Sequence, residues 1–342
     1  MDDVLFEVRG RAGLITLNRP QALNALNRDM CLAIHHQLDA WAGDDAVGLV
    51  IICGSGDRAF CAGGDVVAVA KAGQAGSDEW EGFFGDEYRM NYVIATYPKP
   101  YVALIDGIVM GGGVGLSIHA PYRVATERTL FAMPETGIGL IPDVGGTHAL
   151  PRLPGEIGTF AGLTGARFGP ADCLWAEIAT HHIASEQLDA LVDVLAVGGG
   201  IEETLAGFAS EGGDAPLSGY RDAIDFHFAH DRVEDIMASL ATGDEWALKQ
   251  HATLSRMSPT SMKLTLRALR EGGVLNILGA LQNEFRVVCA IKHGHDFYEG
   301  IRAQLVDKDR NPKWSPATLA EVTDDAIDAA FAEPAGGDLS FY

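Results

Sequence analysis

With 342 residues, 47% hydrophobic and 21% charged, the chain can bury a full core. Its formal net charge of −22 is the opposite of the basic footprint that nucleic-acid binding needs. No apolar run reaches the length of a membrane span, and the five cysteines include no C-x-x-C pair, so reduced thiols are expected rather than a disulfide framework.

The opening segment MDDVLFEVRG is acidic and enters a strand directly. It has the pattern of neither a signal peptide nor an Arg-rich transit peptide. The expectation is a cytoplasmic protein of bacterial type, with a processed mitochondrial form as the other reading. Residues 4–9 and 14–18 alternate in β fashion around a Gly-containing turn, which predicts a hairpin. Asn27 predicts the cap of a helix whose apolar stripe is Met30, Ile34, Leu38 and Trp41. The continuous apolar run 47–53 predicts a buried strand, and 54–64 (GSGDRAFCAGG) a loop. Residues 79–97 read as a helix stopped by Pro98. Strands follow at 101–105, 122–125 and 130–132. Beyond about residue 145 the pattern is mainly helical, clearest at 185–196, 219–230, 243–256, 258–271 and 275–292. The Ser258-Pro259 pair is a good helix start. The glycine-rich stretch 198–213 suggests a boundary, giving an α/β core over 1–195 and a helical region over 196–342.

Three consecutive glycines, Gly111, Gly112 and Gly113, follow the strand 101–105 and open a short apolar segment. A glycine turn entering a helix presents backbone N–H groups and the positive end of the helix dipole. The pattern is G-G-G-x-G, without the spacing or the later acid of a dinucleotide fingerprint, so a nicotinamide site is disfavoured. A second glycine turn, Ala59-Phe60-Cys61-Ala62-Gly63-Gly64-Asp65, follows the strand 47–53. On its own it is a loop with Asp65 as a helix cap. Paired with the first, it supplies a second N–H for one oxygen.

Glu135 follows Pro134, and Asp143 follows Pro142. Acids on loops are most often solvated. Here the flanks are apolar: Phe131-Ala132-Met133 and Ile138-Gly139-Leu140-Ile141. A proline bend could aim both acids into one cleft, where they could perform nucleophilic or proton-transfer chemistry on a bound oxyanion. That combination suggests acyl chemistry. The histidine pairs lack zinc spacing, and no G-x-S-x-G elbow occurs, so a metal site and a serine triad are not expected.

Together these residues resemble the enoyl-CoA hydratase/isomerase (crotonase) superfamily. The likeness runs through LNRPQALNAL (17–26), 59–65, 99–153 and Leu163-Thr164-Gly165. Within the superfamily the chain is most similar to the 3-hydroxyisobutyryl-CoA hydrolase branch. Asp86-Glu87-Tyr88, Arg123-Val124-Ala125-Thr126-Glu127, Phe131-Ala132-Met133-Pro134-Glu135-Thr136 and Pro142-Asp143-Val144-Gly145-Gly146 carry this. So do 296–303, Asp307-Lys308-Asp309 and Pro312-Lys313-Trp314.

The resemblance implies an α/β fold, a crotonase-like ββα superhelix with a helical C-terminal region, assembled as a trimer-based homo-oligomer. It implies that the N–H groups of Gly64 and Gly112 hold a thioester oxygen. Glu135 would be nucleophile or general base, Asp143 would orient water or the substrate hydroxyl, and Glu87 would bind that hydroxyl. Ala22, Leu23, Ala62, Gly63 and Gly111 would lie along coenzyme A, with Arg19, Lys71 and Lys99 as phosphate candidates. Hydratases of the family carry a glutamate where this chain has Gly115, and glycine where it has Asp143. The implied reaction is therefore hydrolysis of a short 3-hydroxyacyl-CoA (3-hydroxyisobutyryl-CoA, also 3-hydroxypropionyl-CoA) within valine catabolism. Coenzyme A would enter as part of the substrate, with no other cofactor, and with neither nucleic acid nor membrane as partner. A hydratase or isomerase using Glu135 alone, and a non-catalytic acyl-CoA-binding subunit, are the alternatives.

Overall fold

The computed structural model describes residues 2–341. They gather into two compact units that interleave along the chain. The first comprises the chain up to Gly64, with Arg89–Ala132 and Arg167–Gly219; the second comprises Asp65–Tyr88, Met133–Ala166 and the chain from Tyr220 onward.

The first unit holds nine strands: β1 (Val4–Arg9), β2 (Ala12–Leu17), β3 (Leu49–Gly54), β4 (Ala59–Cys61), β5 (Tyr101–Ile105), β6 (Ile108–Met110), β7 (Tyr122–Ala125), β8 (Leu130–Ala132) and β9 (His181–His182). One sheet has the order β1-β2-β3-β5-β7-β9, the other β4-β6-β8. Among the pairings between these strands, β1–β2 is antiparallel and the others are parallel. A strand of the large sheet is followed directly by one of the small sheet three times: β3 to β4, β5 to β6, β7 to β8. Helices then separate one pass from the next, as parallel pairing requires. This is the ββα superhelix expected from the sequence. β4 lies inside the stretch expected to be a loop; at three residues it is too short for any periodicity to register.

Both faces of the inner strands β2, β3 and β5 are covered. Ala12, Leu14, Leu49, Ile51, Val102 and Leu104 pack with Leu191, Leu195 and Leu205 from the helices Leu188–Val197 and Ile201–Phe208. Their neighbours Ile15, Leu17, Val50, Ile52, Ala103 and Ile105 are buried on the opposite face. That double burial explains why these strands read as unbroken apolar runs. Ile201–Phe208 lies within the glycine-rich stretch 198–213.

The second unit is helical. Pro259–Gly272 begins as its sequence suggests: Ser258 caps the N–H of Ser261, and Pro259 occupies the first turn. Ile277–Ile291 is capped by Asn276 and packs against it. Gly272 meets the backbone of Thr147 so closely that a Cβ there would stand 2.0 Å from the carbonyl oxygen. Only glycine permits that approach.

Candidate active site

In the first unit, the segment 17–26 is pinned to the turn after β4. Asn24 is fully buried, and it and the half-buried Leu23 before it are both left-handed (φ 55° and 53°). The side-chain Oδ1 of Asn24 accepts the Arg19 N–H at 3.0 Å, and its Nδ2 donates to Ser55 O and Ala59 O at 3.0 and 2.9 Å. Asn tolerates this backbone region better than most residues. Backbone bonds complete the staple: Ala62 N–H to Leu23 O at 3.0 Å, Leu26 N–H to Gly63 O at 2.8 Å. The structure therefore brings Leu23, Ala62 and Gly63 together, with Ala22 adjacent in the same turn.

The second glycine turn lies against the first. A Cβ on Gly113 would sit 2.2 Å from Cys61 O, and one on Gly63 would sit 3.9 Å from Gly112 N. Gly111 adopts φ 47°, ψ −121°, a conformation that suits glycine alone. Gly112 is the first residue of the short helix Gly112–Gly115, where an N–H has no intrahelical partner. Among the described residues, no backbone hydrogen bond is donated by Gly64 or Gly112. Gly115, at the hydratase glutamate position, is buried and contributes no side chain.

The acids gather in the second unit. Glu135 begins the single turn Glu135–Ile138, and Asp143 precedes Val144 (φ 56°) and Gly145 (φ 78°). Each is only 4% exposed, so neither is a solvated loop acid. The Tyr88 hydroxyl donates to Asp143 Oδ2 at 2.7 Å. Glu87, beside Tyr88, is buried, and so is Glu284 on Ile277–Ile291. Glu284 accepts the N–H groups of Gly145 (2.8 Å) and Thr147 (3.0 Å) and the Thr147 hydroxyl (2.5 Å). Glu87 Oε1 and Glu135 Oε2 are buried without a hydrogen-bond partner.

Burial dominates the electrostatics. It lifts Glu135 well above the ordinary carboxylate range, and the Asp143 charge adds to this. Glu87 is raised well above that range by burial, then by Asp143 and Glu284. Glu284 rises to about 8 by burial, against the pull of its Thr147 bond. Asp143 rises to about 6 by burial, with the Tyr88 bond holding it down. Neighbouring buried carboxyls cannot all ionise, so protons are retained near neutral pH, most readily on Glu87 and Glu135, whose buried oxygens lack donors, and least readily on Glu284, whose two oxygens accept three donors. A carboxyl poised there can take up or give up a proton at working pH. Among the described residues, no group of three or more His, Cys, Asp or Glu is placed to hold a metal ion.

Two of the phosphate candidates are committed elsewhere. Lys99 Nζ donates to the carbonyls of Trp41, Asp44 and Val47 at 2.5, 2.7 and 2.8 Å, closing the end of the helix Arg28–Ala42. Arg19 donates to Ala25 O at 2.7 Å and pairs with Asp3 at 3.5 Å. Lys71 is exposed on Val66–Gln74. Sequence reasoning missed Glu284 altogether and missed the partner of Tyr88. A signal for Glu284 existed: it interrupts the apolar stripe Leu281, Val288, Ile291 at helical spacing.

A model of the enoyl-CoA hydratase/isomerase family matches residues 12–331. The chain is 48% identical over 340 residues to a curated protein of Danio rerio named 3-hydroxyisobutyryl-CoA hydrolase, mitochondrial, covering 96% of this chain and 89% of that one. The Homo sapiens protein of the same name is 45% identical over 351 residues, covering 99% and 91%. Among solved structures, a carnitinyl-CoA dehydratase from Mycobacterium thermoresistibile matches with a TM-score of 0.94 at 44% identity, over 100% of this chain and 99% of that one. An enoyl-CoA hydratase from Rhodobacter sphaeroides 2.4.1 matches with a TM-score of 0.92 at 40% identity, over 99% and 100%.

Proposed function

The chain belongs to the enoyl-CoA hydratase/isomerase family, and from that premise we propose that it hydrolyses 3-hydroxyisobutyryl-CoA to the free acid and coenzyme A. The observation that carries this is the near-full-length likeness to the curated hydrolases. The buried Glu135 and Asp143 support it, as does a glycine at 115, where a hydratase carries the glutamate that works beside the one matched by Glu135.

In the reaction we propose, the thioester oxygen gains negative charge as its carbonyl is attacked. The family pattern gives its stabilisation to the N–H groups of Gly64 and Gly112. One such donor typically contributes about 10²–10³ in rate. Glu135 acts by one of two routes. Its carboxylate attacks the carbonyl, expels the CoA thiolate and leaves a mixed anhydride that water cleaves. Alternatively it takes a proton from a water that attacks directly. Either route needs Glu135 ionised when it acts, and Asp143 then orients the water or the substrate hydroxyl. Glu87 receives the 3-hydroxyl on its unpartnered oxygen. An acyl group lacking that hydroxyl leaves a buried polar atom unpaired, which is the basis of strong discrimination. 3-Hydroxypropionyl-CoA keeps the hydroxyl and is the second substrate of this reading.

Coenzyme A enters as part of the substrate, along Ala22, Leu23, Ala62, Gly63 and Gly111, and no further cofactor is required. The parts of the proposal are a catalytic core over 1–195 and a helical region over 196–342, in a trimer-based homo-oligomer. Among the described residues no helix is long and apolar enough to cross a membrane. The curated relatives carry mitochondrial names; for this chain a mitochondrial or a cytoplasmic site is a proposal.

A second reading has a specific basis: the two solved structures are titled as a dehydratase and a hydratase. One assay separates the two. Thiol release from 3-hydroxyisobutyryl-CoA is followed beside the absorbance of crotonyl-CoA. Free thiol with crotonyl-CoA untouched supports the hydrolase. Loss of crotonyl absorbance without thiol supports a hydratase, and binding without turnover of either supports a silent acyl-CoA-binding subunit.

A further inference from the structure

Val144 directly follows Asp143 and has φ 56°. A β-branched residue in the left-handed region is strained and persists only where surroundings impose it. What imposes it comes from far along the chain: the carboxylate of Glu284 accepts the Gly145 N–H on one oxygen, and the Thr147 N–H and hydroxyl on the other. Every one of these contacts is a donor aimed at Glu284, and the side chain is fully buried. An acid placed in an otherwise apolar helix stripe, at the desolvation penalty a carboxylate carries, calls for a compensating role. None of the steps above uses it.

We infer that Glu284 is a positioning residue: it clamps the strained turn 144–147 and thereby fixes the direction in which Asp143 points. The inference rests on the proposed role of Asp143. The clamp is specific to a carboxylate. Glutamine has the same size but offers one acceptor oxygen, and its amide would face an N–H donor. One of the two backbone donors would then lose its partner, and the turn would relax toward a conformation Val144 prefers. Displacements of about 1 Å at a reacting group can cost about 10²-fold in rate.

The test compares Glu284→Gln, Thr147→Ala and Asp143→Asn with the parent enzyme, using thiol release from 3-hydroxyisobutyryl-CoA. Glu284→Gln is expected to lower kcat by about tenfold or more while KM stays within about twofold, because only the aim of Asp143 is lost. Thr147→Ala removes one of the three donors and should lower kcat by a smaller factor, again without KM. Glu284→Gln added to Asp143→Asn should cost no further rate, since a clamp has nothing left to aim. Wild-type kcat in Glu284→Gln, or full additivity with Asp143→Asn, overturns the inference. If Glu284→Gln does not fold, Thr147→Ala decides, and an unchanged kcat there overturns it. Should Asp143→Asn itself retain the parent rate, the role of Asp143 fails and this inference with it. Loss of turnover in Asp143→Asn beside full activity in Glu284→Gln removes the clamp alone.

Discussion

The hydroxyl of Tyr88 donates to Asp143 Oδ2 at 2.7 Å, and both side chains are shut away from water. The bond favours the charged carboxylate and so offsets part of the upward push of burial. Tyr88→Phe removes it and leaves Asp143 higher than about 6. A hydrogen bond to a charged group contributes about 1.5–3 kcal/mol, and one pKa unit corresponds to about 1.4 kcal/mol. The acid limb of kcat/KM against pH should therefore move up by about one to two units. An acid limb at the parent position in Tyr88→Phe would show that Asp143 does not control it.

Glu135→Gln tests chemistry and electrostatics at once. Thiol release should fall by about 10²-fold or more, with binding of coenzyme A retained. The stability effect has the opposite sign. Glu135, Glu87, Asp143 and Glu284 are all raised in the folded protein. The folded state then binds more protons than the unfolded chain between the ordinary carboxylate range and these raised values. Their contribution is fully present below the unfolded values and is lost as pH rises through the folded ones. The parent melting temperature should fall between about pH 5 and pH 9, and Glu135→Gln should flatten that fall. A variant that melts with the parent's full pH slope would remove Glu135 from the proton-sharing group.

How far the sequence reaches is visible in individual residues. The run Tyr101–Ile105 was legible because both faces of the strand are buried and every position is apolar. Glu135 and Asp143 were legible as a pair through their proline-flanked motif, yet their burial depends on packing that no local pattern encodes. Tyr88 stood in a recognised motif, but its partner lies 55 residues on, and a hydroxyl does not announce what it bonds. Lys99 shows the reverse error. A lysine before the central strand suits a phosphate by charge alone, whereas three carbonyls of a distant turn claim its ammonium.

Glu87→Gln addresses substrate choice. The unpartnered Oε1 is expected to meet the 3-hydroxyl of the acyl group. Leaving the buried substrate hydroxyl without its partner costs about 1–3 kcal/mol, or about five- to a hundredfold in kcat/KM. The loss should fall on 3-hydroxyisobutyryl-CoA and 3-hydroxypropionyl-CoA, while the slow turnover of isobutyryl-CoA changes little. Equal losses on hydroxylated and plain acyl groups would mean that Glu87 does not read the hydroxyl.

Lys99→Met separates a structural lysine from a phosphate ligand. Methionine keeps the aliphatic reach but removes three donors, leaving the carbonyls of Trp41, Asp44 and Val47 to be satisfied by water or not at all. A cation at a helix C-terminus adds about 0.3–1 kcal/mol of its own. Together the loss should be about 2–3 kcal/mol. The melting temperature should then drop by several degrees, while KM for the acyl-CoA stays within about twofold, because three carbonyls already hold the ammonium. The reverse pattern, an unchanged melting temperature with KM raised about tenfold, would restore Lys99 as a phosphate ligand and count against the capping role.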